Sequence, residues 1–191
     1  VKEQSLHGAV PLSHLLLRQR VRPGDRVVDA TCGNGKDTLL LAGLVGPGGR
    51  VWAFDIQEEA LARTGQLVDQ AGFTGRVTLV SAGHERLAEV VDEPVSAVIF
   101  NLGYLPGGNQ AVMTGPASTL AALEQAQALL TPGGIIVVVV YTGHPGGDEE
   151  WGAVRKWAAA LPPGRFNVWQ AAQVNRSAAA PFLVLVEKQQ R

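Results

Sequence analysis

The stretch Val27-Val28-Asp29-Ala30-Thr31-Cys32-Gly33-Asn34-Gly35-Lys36-Asp37-Thr38 decides the reading of this chain. A short apolar run ends in an acid, a glycine-containing turn follows, and a helical window covers residues 38–44. Strand, loop and helix in this order put the loop at the carboxyl end of a strand, where open α/β sheets hold their ligands. Glycines in such a loop let the backbone come close to a ligand, because no Cβ intervenes.

Outward from this loop the same alternation repeats. Val51-Trp52-Ala53-Phe54, Val77-Thr78-Leu79-Val80, Ala97-Val98-Ile99-Phe100 and residues 135–141 read as further strands. Helical windows over residues 58–71, 118–130 and 149–161 separate them; the first ends at Gly72, the second at Pro132-Gly133-Gly134 and the third at Pro162-Pro163-Gly164. Strands that are apolar throughout are buried on both faces, which means a parallel sheet wound by right-handed crossovers. Phe166-Asn167-Val168-Trp169 and Phe182-Leu183-Val184-Leu185-Val186 have no helical window between them, so an antiparallel hairpin is expected at that edge. The fold expected is α/β and Rossmann-like, a doubly wound, mostly parallel seven-stranded sheet. At 191 residues the chain is expected to form one domain over 1–191, and its 46% hydrophobic content supplies the core.

The loop also selects its ligand. A dinucleotide site wants Gly-x-Gly-x-x-Gly with a pyrophosphate at the helix N-terminus, but Thr38 stands at the third glycine position and Asp29 would repel the phosphates. S-adenosyl-L-methionine (SAM) has no phosphate; it carries a sulfonium and an ammonium, both suited by a carboxylate at the strand tip. Asp29, Thr31, Gly33, Asn34, Gly35, Asp37 and Thr38 are therefore expected to form a SAM cradle, with Asn101 at the end of the fourth strand also touching the cofactor. Asp55 ends the second strand, 26 residues after Asp29, and is placed to accept both ribose hydroxyls with help from Gln57. Ser81 and His84, past the third strand, fall where an adenine edge would lie. Cys32 reads as a small packing residue.

The fourth strand runs into Asn101-Leu102-Gly103-Tyr104-Leu105-Pro106-Gly107-Gly108. This is similar to the Asp/Asn/Ser-Pro-Pro-Phe/Tyr loop of amino-group methyltransferases, with Leu102-Gly103 in place of Pro-Pro. An attacking amine must aim its lone pair at the methyl carbon, and the Asn101 side-chain oxygen and the Leu102 carbonyl are expected to accept its N–H groups. Tyr104 is expected to stack on a base or face developing positive charge. A protonated amine has no lone pair, so a base is called for; His84 and His144 are both candidates, and a packing role is open for each.

At this point the motifs carry a family resemblance. Asp29-Ala30-Thr31 with Gly33-Asn34-Gly35, Ala53-Phe54-Asp55-Ile56-Gln57, His84-Glu85, and the string from Ile99 through Gly108 resemble the bacterial MnmM (YtqB-like) methyltransferases. Pro132-Gly133-Gly134-Ile135-Ile136, Gly143-His144-Pro145-Gly146-Gly147 and Pro181-Phe182-Leu183 extend the likeness over nearly the whole chain. The resemblance implies methyl transfer to the aminomethyl group of 5-aminomethyl-2-thiouridine at the tRNA wobble position. It also implies the anticodon arm of tRNA as partner.

Composition bounds the alternatives. A net charge of −1 gives no global attraction to nucleic acid, so RNA must meet a local patch. Arg18, Arg20, Arg22 and Arg26 follow an apolar segment over residues 12–17; Arg155, Lys156 and Arg165 form a second group, and either set reads equally as a solvated face. Trp151 and Trp157 are expected to pack. His14 either lines the substrate side or packs. A lone cysteine, the absence of a signal-like segment and a longest apolar run of seven residues point to the cytoplasm and away from a membrane. Four histidines and one cysteine show no metal-ligand spacing. A homodimer would help so small an enzyme hold a tRNA. Competing readings are a methyltransferase of rRNA or of a small amine, a non-catalytic RNA-binding protein on the same fold, and an NAD-linked oxidoreductase.

Overall fold

A computed structural model of the chain describes residues 6–103, 107 and 113–190. Seven strands form one sheet in the order β3-β2-β1-β4-β5-β7-β6. They are β1 (Arg26–Asp29), β2 (Arg50–Asp55), β3 (Val77–Ser81), β4 (Val95–Asn101), β5 (Leu130–Val140), β6 (Phe166–Ala171) and β7 (Phe182–Lys188). The first five pair parallel, and β7 runs antiparallel to both β5 and β6. This is the mostly parallel sheet with an antiparallel edge hairpin that the sequence implies.

The apolar strands split their side chains between two helical layers, as alternate residues must. Val27, Val51, Ala97, Ile99, Val137 and Val139 pack on α1 (Ala9–Arg20) and α2 (Lys36–Val45) through Leu17, Leu41 and Val45. Val28, Trp52, Val98, Phe100, Ile136 and Val138 pack on α5 (Pro116–Leu129) and α6 (Gly147–Ala160) through Leu123, Ala126 and Val154. These side chains are fully buried, and each such Val, Leu, Ile or Phe contributes about 1.5–3 kcal/mol relative to exposure. Helix α3 (Glu58–Gln70) lies over β2 and β3 beside α2. Trp151 and Trp157 lean on the α5–α6 core, the packing role expected of them.

Two details depart from the sequence pattern. β5 begins at Leu130, before Pro132-Gly133-Gly134, because Leu130 pairs with Val95 and the register then shifts before Ile135 pairs with Ala97. Gly133, at φ +77°, supplies the bend. A short helix α4 (Leu87–Val90) precedes β4; four residues carry too little periodicity to read.

The topology creates the crevice. β1 feeds α2 on one face, whereas β4 feeds α5 on the other. β1 and β4 are neighbours in the sheet, so their carboxyl ends mark the switch point where the loops part.

Candidate active site

A cleft of about 680 Å³ opens at this switch point. Thr31, Cys32, Gly33, Asn34, Asp37, Asp55, Gln57, His84, Asn101, Leu102 and His144 line it, which brings most of the expected residues together. Asp37, Asp55 and Glu85 face it against a single Lys36, so its field favours a cationic ligand.

Asp29 is placed otherwise. It is fully buried and outside the cleft wall, with one carboxyl oxygen accepting from the Thr38 hydroxyl at 2.6 Å and the other from the Thr31 amide at 3.3 Å. Burial, with the Asp37 charge next, pushes its carboxyl up to about 7. Asp29 and Thr38 thus tie the end of β1 to α2 from inside, and neither lines the cleft. Gly35 is also spent on packing: at φ +77° it caps α2, and a Cβ there would sit 3.0 Å from the Thr64 Cα of α3. Ser81 lies at the exposed end of β3, outside the cleft.

Asp55 ends β2 and lines the cleft. Its Oδ2 accepts from the Gly33 amide and its Oδ1 from the Gln57 amide, both at 2.9 Å. Each carboxylate oxygen keeps capacity for a second donor, the requirement for holding a diol. Ile56 follows it with 57% exposure inside the cleft, an apolar wall suited to a purine face. His84 is buried; its Nδ1 faces the Ala30 carbonyl at 3.3 Å, and its Nε2 has no partner among the described residues. Burial holds this imidazole below its ordinary value, so it is neutral at pH 7. An edge-on contact with Phe100, 5.7 Å between centroids, fixes its ring. Burial likewise pushes the Cys32 thiol up, which leaves it an inert packing group.

Asn101 ends β4 at the far side of the cleft. Its backbone N–H donates to the Thr31 hydroxyl at 2.7 Å, and its side-chain Nδ2 donates to Asp37 Oδ2 at 2.5 Å. Asp37 Oδ1 meets His14 Nε2 at 2.5 Å, with both side chains largely buried. The amide is therefore oriented by its nitrogen, and Asn101 Oδ1 accepts no hydrogen bond among the described residues. Leu102 buries its side chain, and its N–H donates to the Val139 carbonyl at 3.0 Å.

Past Leu102 the chain is clasped. The Gly103 N–H donates to the Thr114 hydroxyl at 2.7 Å, and the Thr114 N–H donates to the Gly103 carbonyl at 2.9 Å. The Thr114 hydroxyl donates in turn to Glu150 Oε2 at 2.9 Å, while Thr119 donates to Glu150 Oε1 at 2.6 Å. Glu150 is buried in the first turn of α6, where a helix dipole favours an acid. His144 stands against Gly103: a Cβ there would lie 3.4 Å from His144 Nε2. Tyr104 lies outside the described residues.

Three features escaped the sequence reading. The Asp37–His14 contact joins residues 23 apart on different helices. Glu150 is one of three consecutive acids, Asp148-Glu149-Glu150, and nothing in their order marks the one that turns inward. Tyr141 lines the cleft as well, and burial, with the Asp37 charge, raises its hydroxyl and keeps it protonated. Of the basic groups, Arg20 pairs with Glu187 and Arg26 with Glu93, so these two serve the fold. Among the described residues, no three His, Cys, Asp or Glu gather as metal ligands, and no helix is long and apolar enough to cross a membrane.

Comparison with known proteins fits this geometry. A family model described as "Putative rRNA methylase" matches residues 51–187. The chain is 42% identical to the Arabidopsis thaliana chloroplastic tRNA (mnm(5)s(2)U34)-methyltransferase, over 95% of this chain and 70% of that one. A Clostridium thermocellum structure described as a "putative rRNA-methylase" superposes with TM-score 0.93 at 42% identity, covering 97% of this chain and 100% of the other. A "putative methyltransferase" of Streptococcus mutans in complex with SAH superposes with TM-score 0.88 at 38% identity, covering 96% and 99%. The sheet order, the switch-point cleft and these matches over most of the chain agree, and the protein belongs to the family described as "Putative rRNA methylase".

Proposed function

We propose that this protein transfers the methyl group of SAM to the aminomethyl nitrogen of 5-aminomethyl-2-thiouridine at position 34 of tRNA, giving the 5-methylaminomethyl nucleoside. The observation that carries the reaction type is Asn101, which lines the cleft with its Nδ2 engaged by Asp37 and its Oδ1 accepting from no described donor. The 42% identity to a tRNA (mnm(5)s(2)U34)-methyltransferase supports the substrate.

The residues present fit SAM. Asp55 has acceptor capacity for the ribose diol, Ile56 offers an apolar face for adenine, and the acidic cleft suits a sulfonium and an ammonium. Thr31, Gly33 and Asn34 line the strand-tip side of the cleft. When bound, SAM supplies an electrophilic methyl carbon on a good leaving group. The protein supplies placement. Asn101 Oδ1 and the Leu102 carbonyl accept the two amine N–H groups, which points the nitrogen lone pair across the cleft. The Asp37–His14 pair holds the Asn101 amide in that orientation. His144, beside Gly103, is assigned to take the proton that a protonated amine must lose before attack. The clasp from Gly103 through Thr114 to buried Glu150 fixes the backbone on which Asn101 and Leu102 sit.

The partner is the anticodon arm of tRNA, met by cations of the two basic groups that the fold leaves without ion pairs among the described residues: Arg18, Arg22, Arg155, Lys156 and Arg165. Residues 1–191 act as one domain in the cytoplasm. The test is transfer of labelled methyl from SAM into total RNA from cells lacking this activity. Label confined to tRNA supports the reading; label in rRNA, or only in a small amine, overturns it.

A further inference from the structure

A second concavity, of about 360 Å³, adjoins the cleft and has no part in the chemistry above. Thr142 lines it, while Tyr141 and Gly143 line the cleft. In the same way Ala178 and Ala180 face the second pocket and Ala179 the cleft. The two cavities therefore share a thin wall made of the loop after β5 and the hairpin loop between β6 and β7.

The pocket's chemistry is mixed in a specific way. Trp151 of α6 gives a half-buried aromatic wall, held edge-on by Phe182 with 4.7 Å between ring centroids and planes at 78°. Gln170 and Gln173 contribute amides, each able to donate and accept. Arg176 brings a guanidinium that makes no ion pair among the described residues. Asp148 adds one carboxylate. Asp148 disfavours a bare anion, and the exposed amides and charges offer an apolar ligand no complementary partner. A nucleotide uses all of them: a base for the aromatic wall and the amides, a donor edge or ribose hydroxyl for Asp148, and a phosphate for Arg176.

We propose that this pocket holds a nucleotide flanking the target base, so that the RNA is gripped on both sides of the shared wall while the target enters the cleft. The proposal rests on the tRNA reading of the preceding section. Single-stranded RNA loops are recognised by splaying bases onto aromatic walls, and a flanking subsite gives the enzyme sequence or loop preference beyond the modified base.

Fluorescence anisotropy of an anticodon stem-loop carrying 5-aminomethyl-2-thiouridine, with S-adenosylhomocysteine present, tests this. Arg176→Ala and the double variant Gln170→Ala/Gln173→Ala should each weaken RNA binding about tenfold while leaving S-adenosylhomocysteine affinity unchanged. Arg176→Ala should also lower the log–log salt slope by about 0.7, the loss of one single-strand phosphate contact. With an abasic residue on one side of the target, the wild type should bind as weakly as the double variant, and the double variant should lose nothing more. Wild-type affinity in both variants, or equal further losses with an abasic residue on either side, would overturn the subsite. Stem-loop binding with these losses but without methyl transfer would refute the proposed reaction and leave the pocket standing.

Discussion

Asn101 lines the cleft with its Nδ2 committed to Asp37, and its Oδ1 accepts from no described donor. Asn101→Ala should lower kcat about 100-fold, the usual effect of losing reactant alignment, and change SAM affinity less than threefold. Single-turnover methylation beside calorimetric SAM titration checks it; wild-type turnover would remove Asn101 from the chemistry. Asp55→Ala should do the opposite, weakening SAM binding about 10–100-fold by removing charge-assisted acceptors of the ribose. Unchanged affinity in the same titration would place the ribose elsewhere. Both residues were legible because each ends a strand whose apolar run is plain in the sequence. Asp29 ends its strand in the same way but is fully buried and does not line the cleft. A strand-tip acid points outward or inward depending on what lies beneath it, and here Thr38, nine positions on, draws it inside. The Asp37–His14 pair was hidden because it forms only when α1 packs beside α2.

At the scale of elements, the loop between β1 and α2 shows that its glycines do different work. Gly33 offers its amide to Asp55 at the cleft wall, whereas Gly35 makes a left-handed turn under α3. Gly35→Ala puts a Cβ into that turn and 3.0 Å from the Thr64 backbone, a contact with no flexible partner to yield. It should destabilise the fold by about 2 kcal/mol, lowering Tm by about 4–8 °C. A melt within 1 °C of wild type would show that the loop relaxes freely. The core strands and four of the longer helices were readable because their periods are clean. The prolonged start of β5 was not, since Pro132-Gly133-Gly134 signals a break in sequence and serves as a bulge within one strand in space. Glu150 was obscured by its acidic neighbours, and only the approach of α5 and the segment before it to α6 gives it two threonine donors.

For the whole molecule, the sheet order places the ends of β1 and β4 side by side, and the site follows from that adjacency. The order was implied by strand–helix alternation with a terminal hairpin; the wall shared by two cavities was not, because it depends on loops that meet only in the folded chain. Asp29 gives the fold a pH signature. Its carboxyl is held near 7 in the folded chain against an ordinary value of 3.8. The folded state therefore keeps a proton that the unfolded state releases, and stability from this group is full below pH 4 and declines as pH rises to about 7. The slope is at most about 1.4 kcal/mol per pH unit. Thermal melts from pH 5 to 8 should show a decline in wild type that Asp29→Asn reduces; parallel curves would mean that Asp29 titrates normally.

The most direct test of the central claim is mass spectrometry of nucleosides from tRNA bearing 5-aminomethyl-2-thiouridine after incubation with this protein and SAM. The account predicts loss of that nucleoside and stoichiometric gain of 5-methylaminomethyl-2-thiouridine, with both changes absent for Asn101→Ala. An unchanged nucleoside profile, with SAM binding intact, would contradict it.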